Sequence, residues 1–286
     1  MADISLIASS DNKISVPEEA HKLPRILAVA NQKGGVGKTT TSVNLATALC
    51  AVGKKVLLVD LDPQGNASTG LGLRRASLKR SSYDVLFGEA TIEEVAQKTK
   101  VPDLHVLPSS IHLSGAEIEL VSASRREYRL KEALRRPIGY DYIIIDCPPS
   151  LSMLTLNALV TSDSVVVPLQ CEFFALEGLS HLVKTIDKVQ KHFNPDLQIH
   201  GVLLTMYDQR NNLSSMVAND VRNFFGDKVY KTVIPRNVRL SEAPSYGLPA
   251  IVYDMKCAGA QAYIHLASEV LKRERGYMGT GSQIVA

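Results

Sequence analysis

Apolar residues follow two rhythms along this chain. Short β-branched runs, nearly continuous in apolar character, occupy Ile26 to Ala30, Lys55 to Asp60, Leu104 to Leu107, Tyr142 to Asp146, Ser164 to Pro168 and Gln198 to Thr205. Strands buried on both faces have this pattern, whereas strands with one wet face alternate. Between them lie longer stretches with apolar residues at helical spacing. Val43, Leu45, Ala46, Ala48 and Leu49 mark one stripe in a helix expected over Lys38 to Val52, which Gly53 ends. Leu179, Leu182, Val183, Ile186 and Val189 mark another in Glu177 to His192, where Lys184, Lys188 and Lys191 fall on a separate, solvated face. Strands alternating with helices predict an α/β fold, a mostly parallel twisted sheet flanked by helices that serve as crossovers.

With 286 residues and 45% apolar composition the chain can bury one sizeable core. The expected organisation is a flexible tail over residues 1 to 24, where Ser, Asp, Glu and Pro mix without a period, one domain over 25 to 275, and a Gly-rich tail over 276 to 286. A formal charge of +3 is only mildly basic, so any attraction to nucleic acid must come from a local cluster. The first residues lack the basic start and apolar run of a secretory signal, and no apolar stretch reaches the roughly 18 residues that cross a bilayer. Cys50, Cys147, Cys171 and Cys257 lie far apart with no Cys-x-x-Cys spacing, which disfavours a zinc knuckle or a disulfide scaffold and fits a reducing cytoplasm.

Chemistry concentrates at the ends of the expected strands. Ile26 to Ala30 leads through Asn31 and Gln32 into Lys33-Gly34-Gly35-Val36-Gly37-Lys38-Thr39-Thr40 and then into a helix, the context that a phosphate-binding P-loop requires. The glycines let backbone N–H groups turn toward phosphate oxygens, the helix N-terminus adds partial positive charge, and Lys38 adds a full one. Thr39 is placed to offer its hydroxyl to Mg²⁺. The usual loop has a glycine where Gln32 stands, and it lacks the second lysine, Lys33. From the start of the loop Lys33 cannot easily turn back onto its own phosphates, but it can reach a phosphate held by another subunit, as an arginine finger does.

Two further strands end in acids. Val56 to Asp60 is followed by Leu61-Asp62-Pro63-Gln64-Gly65, and Tyr142 to Asp146 by Cys147-Pro148-Pro149. Carboxylates at the C-terminal edges of parallel strands face the ligand crevice. Asp146 is expected to hold Mg²⁺ directly or through water, and Asp62 to orient the water that attacks the γ-phosphate. Each acid alone is as easily a turn or cap residue; three of them at two strand ends favour a site.

These segments carry a resemblance. Asn31 to Thr40, Asp60 to Ala67 and Asp146 to Ser150, followed by Leu203-Leu204-Thr205-Met206 and Ile234 to Ser245, resemble the ParA/Soj chromosome-partitioning ATPases of the deviant-Walker-A class, over about Arg25 to Leu271. The resemblance implies an ATP-dependent sandwich homodimer in which Lys33 crosses to the partner's nucleotide, Lys38 and Thr39 serve phosphate and Mg²⁺, and Asp62 supports hydrolysis. It implies that Pro235 and Asn237 contact adenine and that Arg210 and Arg239 contact DNA. It further implies non-specific DNA binding by the ATP-bound dimer, hydrolysis stimulated by a ParB/Spo0J-type partner, and a cytoplasmic, nucleoid-associated protein with no stable membrane attachment. On charge alone the basic segment reads first as an ordinary solvated surface, and it is the resemblance that turns it toward DNA. From Gly201 to Leu240, Arg210, Arg222, Lys228, Lys231, Arg236 and Arg239 stand against Asp208, Asp220 and Asp227. Dimerisation would double such a patch and make binding salt-sensitive.

Three rival readings share parts of this pattern. A membrane-associated positioning ATPase of the MinD type needs a terminal amphipathic helix that enters lipid. Here Ala258 to Arg275 instead shows Ala262, Leu266, Ala267, Val270 and Leu271 as a core-facing stripe and then runs into glycines. A redox protein like the nitrogenase iron protein would present Cys147 and Cys171 to a cluster, but their sequence neighbourhoods suit buried thiols better. The third is a binding module that uses ATP only as a switch, with Asp62 inactive.

Overall fold

A computed structural model describes residues 23–74, 78–173 and 175–281, with side chains as far as Arg275. The expected N-terminal tail therefore lies, but for its last two residues, outside the described residues.

Seven strands form one sheet: β1 (Arg25–Val29), β2 (Val56–Asp60), β3 (Gln97–Lys98), β4 (Leu104–Leu107), β5 (Tyr142–Asp146), β6 (Ser164–Gln170) and β7 (Gln198–Thr205). Their spatial order is β3-β4-β2-β5-β1-β6-β7. All pairings are parallel except that of the two-residue edge strand β3 with β4. Among the described residues twelve α-helices lie between and after the strands: α1 (Lys38–Ala51), α2 (Asn66–Gly70), α3 (Ser82–Phe87), α4 (Ile92–Val95), α5 (Leu113–Ser122), α6 (Arg129–Leu134), α7 (Met153–Thr161), α8 (Ala175–His192), α9 (Asn212–Phe225), α10 (Val238–Glu242), α11 (Ala250–Tyr253) and α12 (Ala258–Gly281). The chain leaves β1 toward β2 on one side and later passes from β5 to β6 on the other. The order of connection thus reverses around β1, and a crevice opens at the carboxyl ends of the central strands.

The continuous apolar runs are explained by burial on both faces. Along β1, Ile26 and Ala28 join the core layer of α5 to α9, while Leu27 and Val29 join the layer of α1 and α12. The same alternation places Leu57, Ile143 and Val165 in the first layer and Leu58, Ile144 and Val166 in the second. Four expected strand limits move by one or two residues, chiefly in β6, which extends to Gln170 and accommodates Pro168 opposite Leu203. The antiparallel β3 was not expected, because two polar residues carry no period.

Helix α1 departs from the expected one-sided stripe: every residue from Thr41 to Cys50 is buried. It lies between the sheet and α12, so its polar residues are enclosed as well. Thr47 therefore returns its hydroxyl to the carbonyl of Val43 at 2.8 Å, and Thr41 meets the Tyr263 hydroxyl at 3.2 Å. In α8 the expected face is buried, and Lys184, Lys188 and Lys191 are exposed. The stripe of α12 packs into the core, with Ala262, Leu266, Ala267 and Val270 buried and Leu271 against them. The helix continues six residues past Arg275 to Gly281.

At the opposite edge of the sheet, α12 is fastened by buried charge. Glu274 takes Arg25 Nε at 2.9 Å and lies 3.0 Å from His200 Nε2, whose Nδ1 is 2.6 Å from the Tyr230 hydroxyl. Arg273 lies over the Tyr230 ring, 4.3 Å from its centroid, and donates to the carbonyl of His200 at 2.9 Å. Burial alone would raise the Glu274 carboxyl, but the His200 contact and the Arg25 charge hold it below the usual range.

Candidate nucleotide site

The phosphate loop and the acids expected of the site lie at the carboxyl edge of β1, β2 and β5, whereas Pro235 and Asn237 lie beyond β7. The loop after β1 is held at its base by Asn31, which is buried and donates to the carbonyl of Pro168 in β6 at 2.7 Å, while its Oδ1 accepts from the Lys33 amide at 3.0 Å. Gly35 and Gly37 have φ of 73° and 87°, the left-handed region that side chains resist, and Gly37 is the N-cap of α1. No side chain caps that helix, and Gly34 and Gly35 are exposed. The open backbone donors and the helix dipole therefore face the crevice, which suits an anion. At its far end the loop is tied to β7 by the Thr205 hydroxyl, 2.8 Å from the carbonyl of Val36.

The two lysines of the loop stand in different surroundings. Lys38 is 7% exposed, and its Nζ donates to the carbonyl of Lys33 at 2.9 Å, so the ammonium is curled inside the loop. Burial pulls its pKa down, opposed by the negative charges of Asp146 and Asp62. Lys33 points away from the loop, half exposed, and its Nζ pairs with Glu172 in the segment between β6 and α8. Glu172 was not singled out from the sequence, since nothing in its spacing connects it with Lys33.

The acids gather as expected, with partners that the sequence did not indicate. Asp60 and Asp146 are adjacent in the sheet register and both fully buried. Asp146 Oδ1 accepts from the Ser42 hydroxyl at 2.8 Å, whereas Oδ2 is buried without a hydrogen-bond partner. Burial, then the nearby charge of Asp60, push the Asp146 carboxyl up, while Ser42 and Thr39 hold it down. An orphaned carboxylate oxygen beside two hydroxyls fits Mg²⁺, whose charge would relieve both the desolvation and the repulsion. Among the described residues no cluster of three His, Cys, Asp or Glu side chains forms a cage. A magnesium ion here would thus lean on Thr39, Asp146 and phosphate oxygens, the usual arrangement when substrate supplies ligands. Ser42 was legible in principle, four residues after Lys38 on the same helix face.

Asp62 sits in the turn beyond β2, 7% exposed. Its Oδ1 accepts from the Gln64 amide at 2.9 Å. Cys147 and Cys171 are buried, and burial pushes both thiols up, as expected for structural rather than ligating sulfurs.

Beside the loop lies a cavity of about 470 Å³ that runs from Gly37, Thr39 and Thr40 past Asn66, Thr69 and Gly70 to Ile234, Pro235 and Asn237. Its size and mixed lining suit a nucleoside. Asn237 caps α10 by accepting from the Arg239 amide at 3.0 Å, which fixes its side chain at the cavity wall. Met206, at the end of β7, holds a φ of 49° that is unusual for a side-chain-bearing residue and also lines the cavity.

The arginines of the basic segment are exposed. Arg210 makes a bidentate pair with Asp208, at 3.0 and 2.9 Å, and the hydrogen bonds from its side chain and its amide, with the charges of Arg210 and Arg236 behind them, hold the Asp208 carboxyl down to about 2. Arg239 pairs with Glu242 at 2.8 Å and lies 3.5 Å from Asp254.

Comparison with known proteins agrees with this geometry. Residues 24–199 match a family model described as an AAA domain. The chain is 61% identical over 254 residues to the chromosome partitioning protein ParA of Caulobacter vibrioides, spanning 88% of this chain and 95% of that one. It is 59% identical over 247 residues to the sporulation initiation inhibitor protein Soj of Bacillus subtilis, spanning 86% and 98%. Among solved structures, cobyrinic acid a,c-diamide synthase from Mycobacterium smegmatis with bound ADP and magnesium superposes with a TM-score of 0.78 at 41% identity, spanning 88% and 96%. With a phosphate loop, paired acids and a nucleoside-sized cavity at one sheet edge, and with relatives at this identity over most of its length, the chain belongs to the ParA/Soj family of chromosome-partitioning ATPases.

Proposed function

We propose that this protein binds ATP and Mg²⁺ in the crevice, dimerises on ATP, and as a dimer holds DNA without sequence preference until hydrolysis releases it. The observation that carries the proposal is the separation of the two loop lysines. Lys38 is enclosed by the loop that would wrap a nucleotide's own phosphates, while Lys33 stands at the mouth, held only by a half-exposed ion pair with Glu172. On ATP binding Lys38 exchanges the Lys33 carbonyl for phosphate oxygens, and Lys33 exchanges Glu172 for a γ-phosphate in the facing subunit. Thr39 and Asp146 would hold a magnesium ion, which when bound would supply positive charge against the phosphates. Asp62 turns from the Gln64 amide to orient the attacking water. Pro235 and Asn237 form the wall against which adenine rests.

Dimerisation joins two weak basic patches, each carrying Arg210 and Arg239, into one surface, a multivalent gain that needs no new contact chemistry. Arg210 and Arg239 then trade the carboxylates of Asp208 and Glu242 for DNA phosphates. Loss of the γ-phosphate removes what Lys33 grips, so the dimer opens and DNA is released. A ParB/Spo0J-type protein that speeds hydrolysis would set the time spent on DNA. α12 packs its apolar face on the core, and among the described residues no helix is long and apolar enough to cross a membrane. A gel shift with non-specific DNA and no nucleotide, ADP, ATP or a slowly hydrolysed analogue tests the scheme. Retention is expected with ATP and the analogue and to weaken steeply with salt; equal retention without nucleotide would refute it.

A further inference from the structure

Asp62 lies two residues past the end of β2, where no strand ladder fixes it, yet its placement is over-determined by side chains from elsewhere. Its amide donates to Asp60 Oδ1 at 3.3 Å, and its carbonyl accepts from the Gly65 amide at 2.8 Å and from the Ser109 hydroxyl. The Asp60 carbonyl accepts from the Ser82 hydroxyl at 2.8 Å, and the free side of its carboxylate is held by Ser68. Ser68, in the middle of α2, gives Asp60 Oδ2 both its amide, at 2.8 Å, and its hydroxyl, at 2.6 Å. The Ser68 hydroxyl also accepts from the Ser109 amide at 3.1 Å, so both its donor and acceptor capacities are used. Asp60, Ser68 and Ser109 are all fully buried, where no water competes and each bond keeps its strength.

The other face of α2 looks in a different direction. Asn66, Thr69 and Gly70 line the nucleoside cavity, and a Cβ on Gly70 would come within 3.8 Å of Pro244 on the far wall. The five-residue helix is therefore a strut, with the cavity on one side and the Asp60 carboxylate on the other.

We infer that Ser68 and Asp60 are positioning residues for hydrolysis: the Ser68 hydroxyl locks the Asp60 carboxylate, the carboxylate locks the Asp62 amide, and the Asp62 side chain pivots about a fixed backbone. This rests on the reading of Asp62 as the hydrolytic residue. The pair does not touch the reacting atoms. Its effect belongs to geometry, and misplacement of a reacting group by about 1 Å can lower a rate by about 100-fold.

The test is steady-state phosphate release at saturating ATP with DNA present, in wild type, Ser68→Ala, Ser68→Thr, Asp62→Ala and the Asp62→Ala/Ser68→Ala double variant, with thermal unfolding of each. Ser68→Ala is expected to lower kcat about tenfold while the KM for ATP stays within about twofold. Ser68→Thr, which keeps the hydroxyl, restores most of kcat. In the Asp62→Ala background Ser68→Ala should remove nothing further, because its effect passes through Asp62. An unchanged kcat in Ser68→Ala, or the same fold loss with and without Asp62, overturns the inference. Should Ser68→Ala not fold, a Ser68→Thr variant that folds but hydrolyses at the Asp62→Ala rate overturns it also, and one at wild-type rate supports it. Normal hydrolysis by Asp62→Ala is a different result, refuting the underlying assignment of Asp62.

Discussion

Lys33 and Lys38 are five residues apart in one loop, carry the same charge, and are held in unlike ways. The Lys38 ammonium is enclosed, bonded to a carbonyl of its own loop, and surrounded by carboxylates across the crevice. That of Lys33 is turned outward onto a glutamate of another loop, with both partners about two-fifths exposed. Burial makes the first a fixed component of an intrachain site. Exposure makes the second exchangeable, since an ion pair in contact with water is worth about 1 kcal/mol or less and a phosphate can displace it. One loop thus contains one ammonium enclosed by its own backbone and one held outside it in an ion pair, the arrangement on which the proposed cross-subunit role of Lys33 rests.

Substitutions break or sharpen that contrast. The largest effect is expected from Asp62→Ala, which tests whether the intrachain half performs hydrolysis: phosphate release should fall by about 100- to 1,000-fold with ATP affinity nearly intact, leaving a persistent DNA-bound state. Lys38→Ala should weaken ATP by about 100-fold in a fluorescent-nucleotide titration, the value of a charge-assisted bond to phosphate in an enclosed site. If Lys33 serves a partner's phosphates as proposed, Lys33→Ala should leave ATP affinity within about threefold and abolish dimerisation on ATP. Glu172→Gln should act in the opposite direction and tighten the dimer about three- to tenfold in sedimentation velocity, since two exposed ion pairs no longer need to break. The smallest effect on the site, none, is expected from Glu274→Gln at the opposite sheet edge, which should lower the Tm without altering ATP affinity. Because the folded Glu274 carboxyl titrates below its ordinary value, its stabilisation is complete above about pH 4.5 and fades as pH falls through the folded value. The difference in Tm between wild type and variant should therefore shrink in acid.

The difference between the lysines also shows what was legible in the sequence. Lys38 was readable because the chemistry of a P-loop is local: strand, glycines, lysine, hydroxyl and helix occupy sixteen consecutive residues from Arg25 to Thr40. Lys33 was readable as surplus, a charge the loop cannot use, and its outward position agrees. The strand-end acids were legible for the same reason, as apolar runs that stop at a carboxylate. Illegible were the contacts that join distant segments. Glu172 is 139 residues from Lys33, and the Ser109 hydroxyl reaches Asp62 across 47 residues. Serines and glutamates without a period look like surface until a fold buries them or turns them toward a charge. The edge strand β3 and the burial of α1 on every side from Thr41 to Cys50 were missed for a related reason, since neighbours in space rather than the local pattern decide both. Pro235 and Asn237 were marked by resemblance and line the cavity together with Gly37, Thr39 and Thr40 of the loop; α2 and Met206 on its wall were given no site role.

The proposed cross-subunit role of Lys33 has one direct measure, the mass of the protein in solution with a slowly hydrolysed ATP analogue, by light scattering, for wild type and Lys33→Ala at equal nucleotide occupancy. Wild type is expected at twice the mass of one chain and Lys33→Ala at the mass of one. A Lys33→Ala protein that dimerises as readily as wild type would contradict the claim that this lysine is kept for a partner's nucleotide.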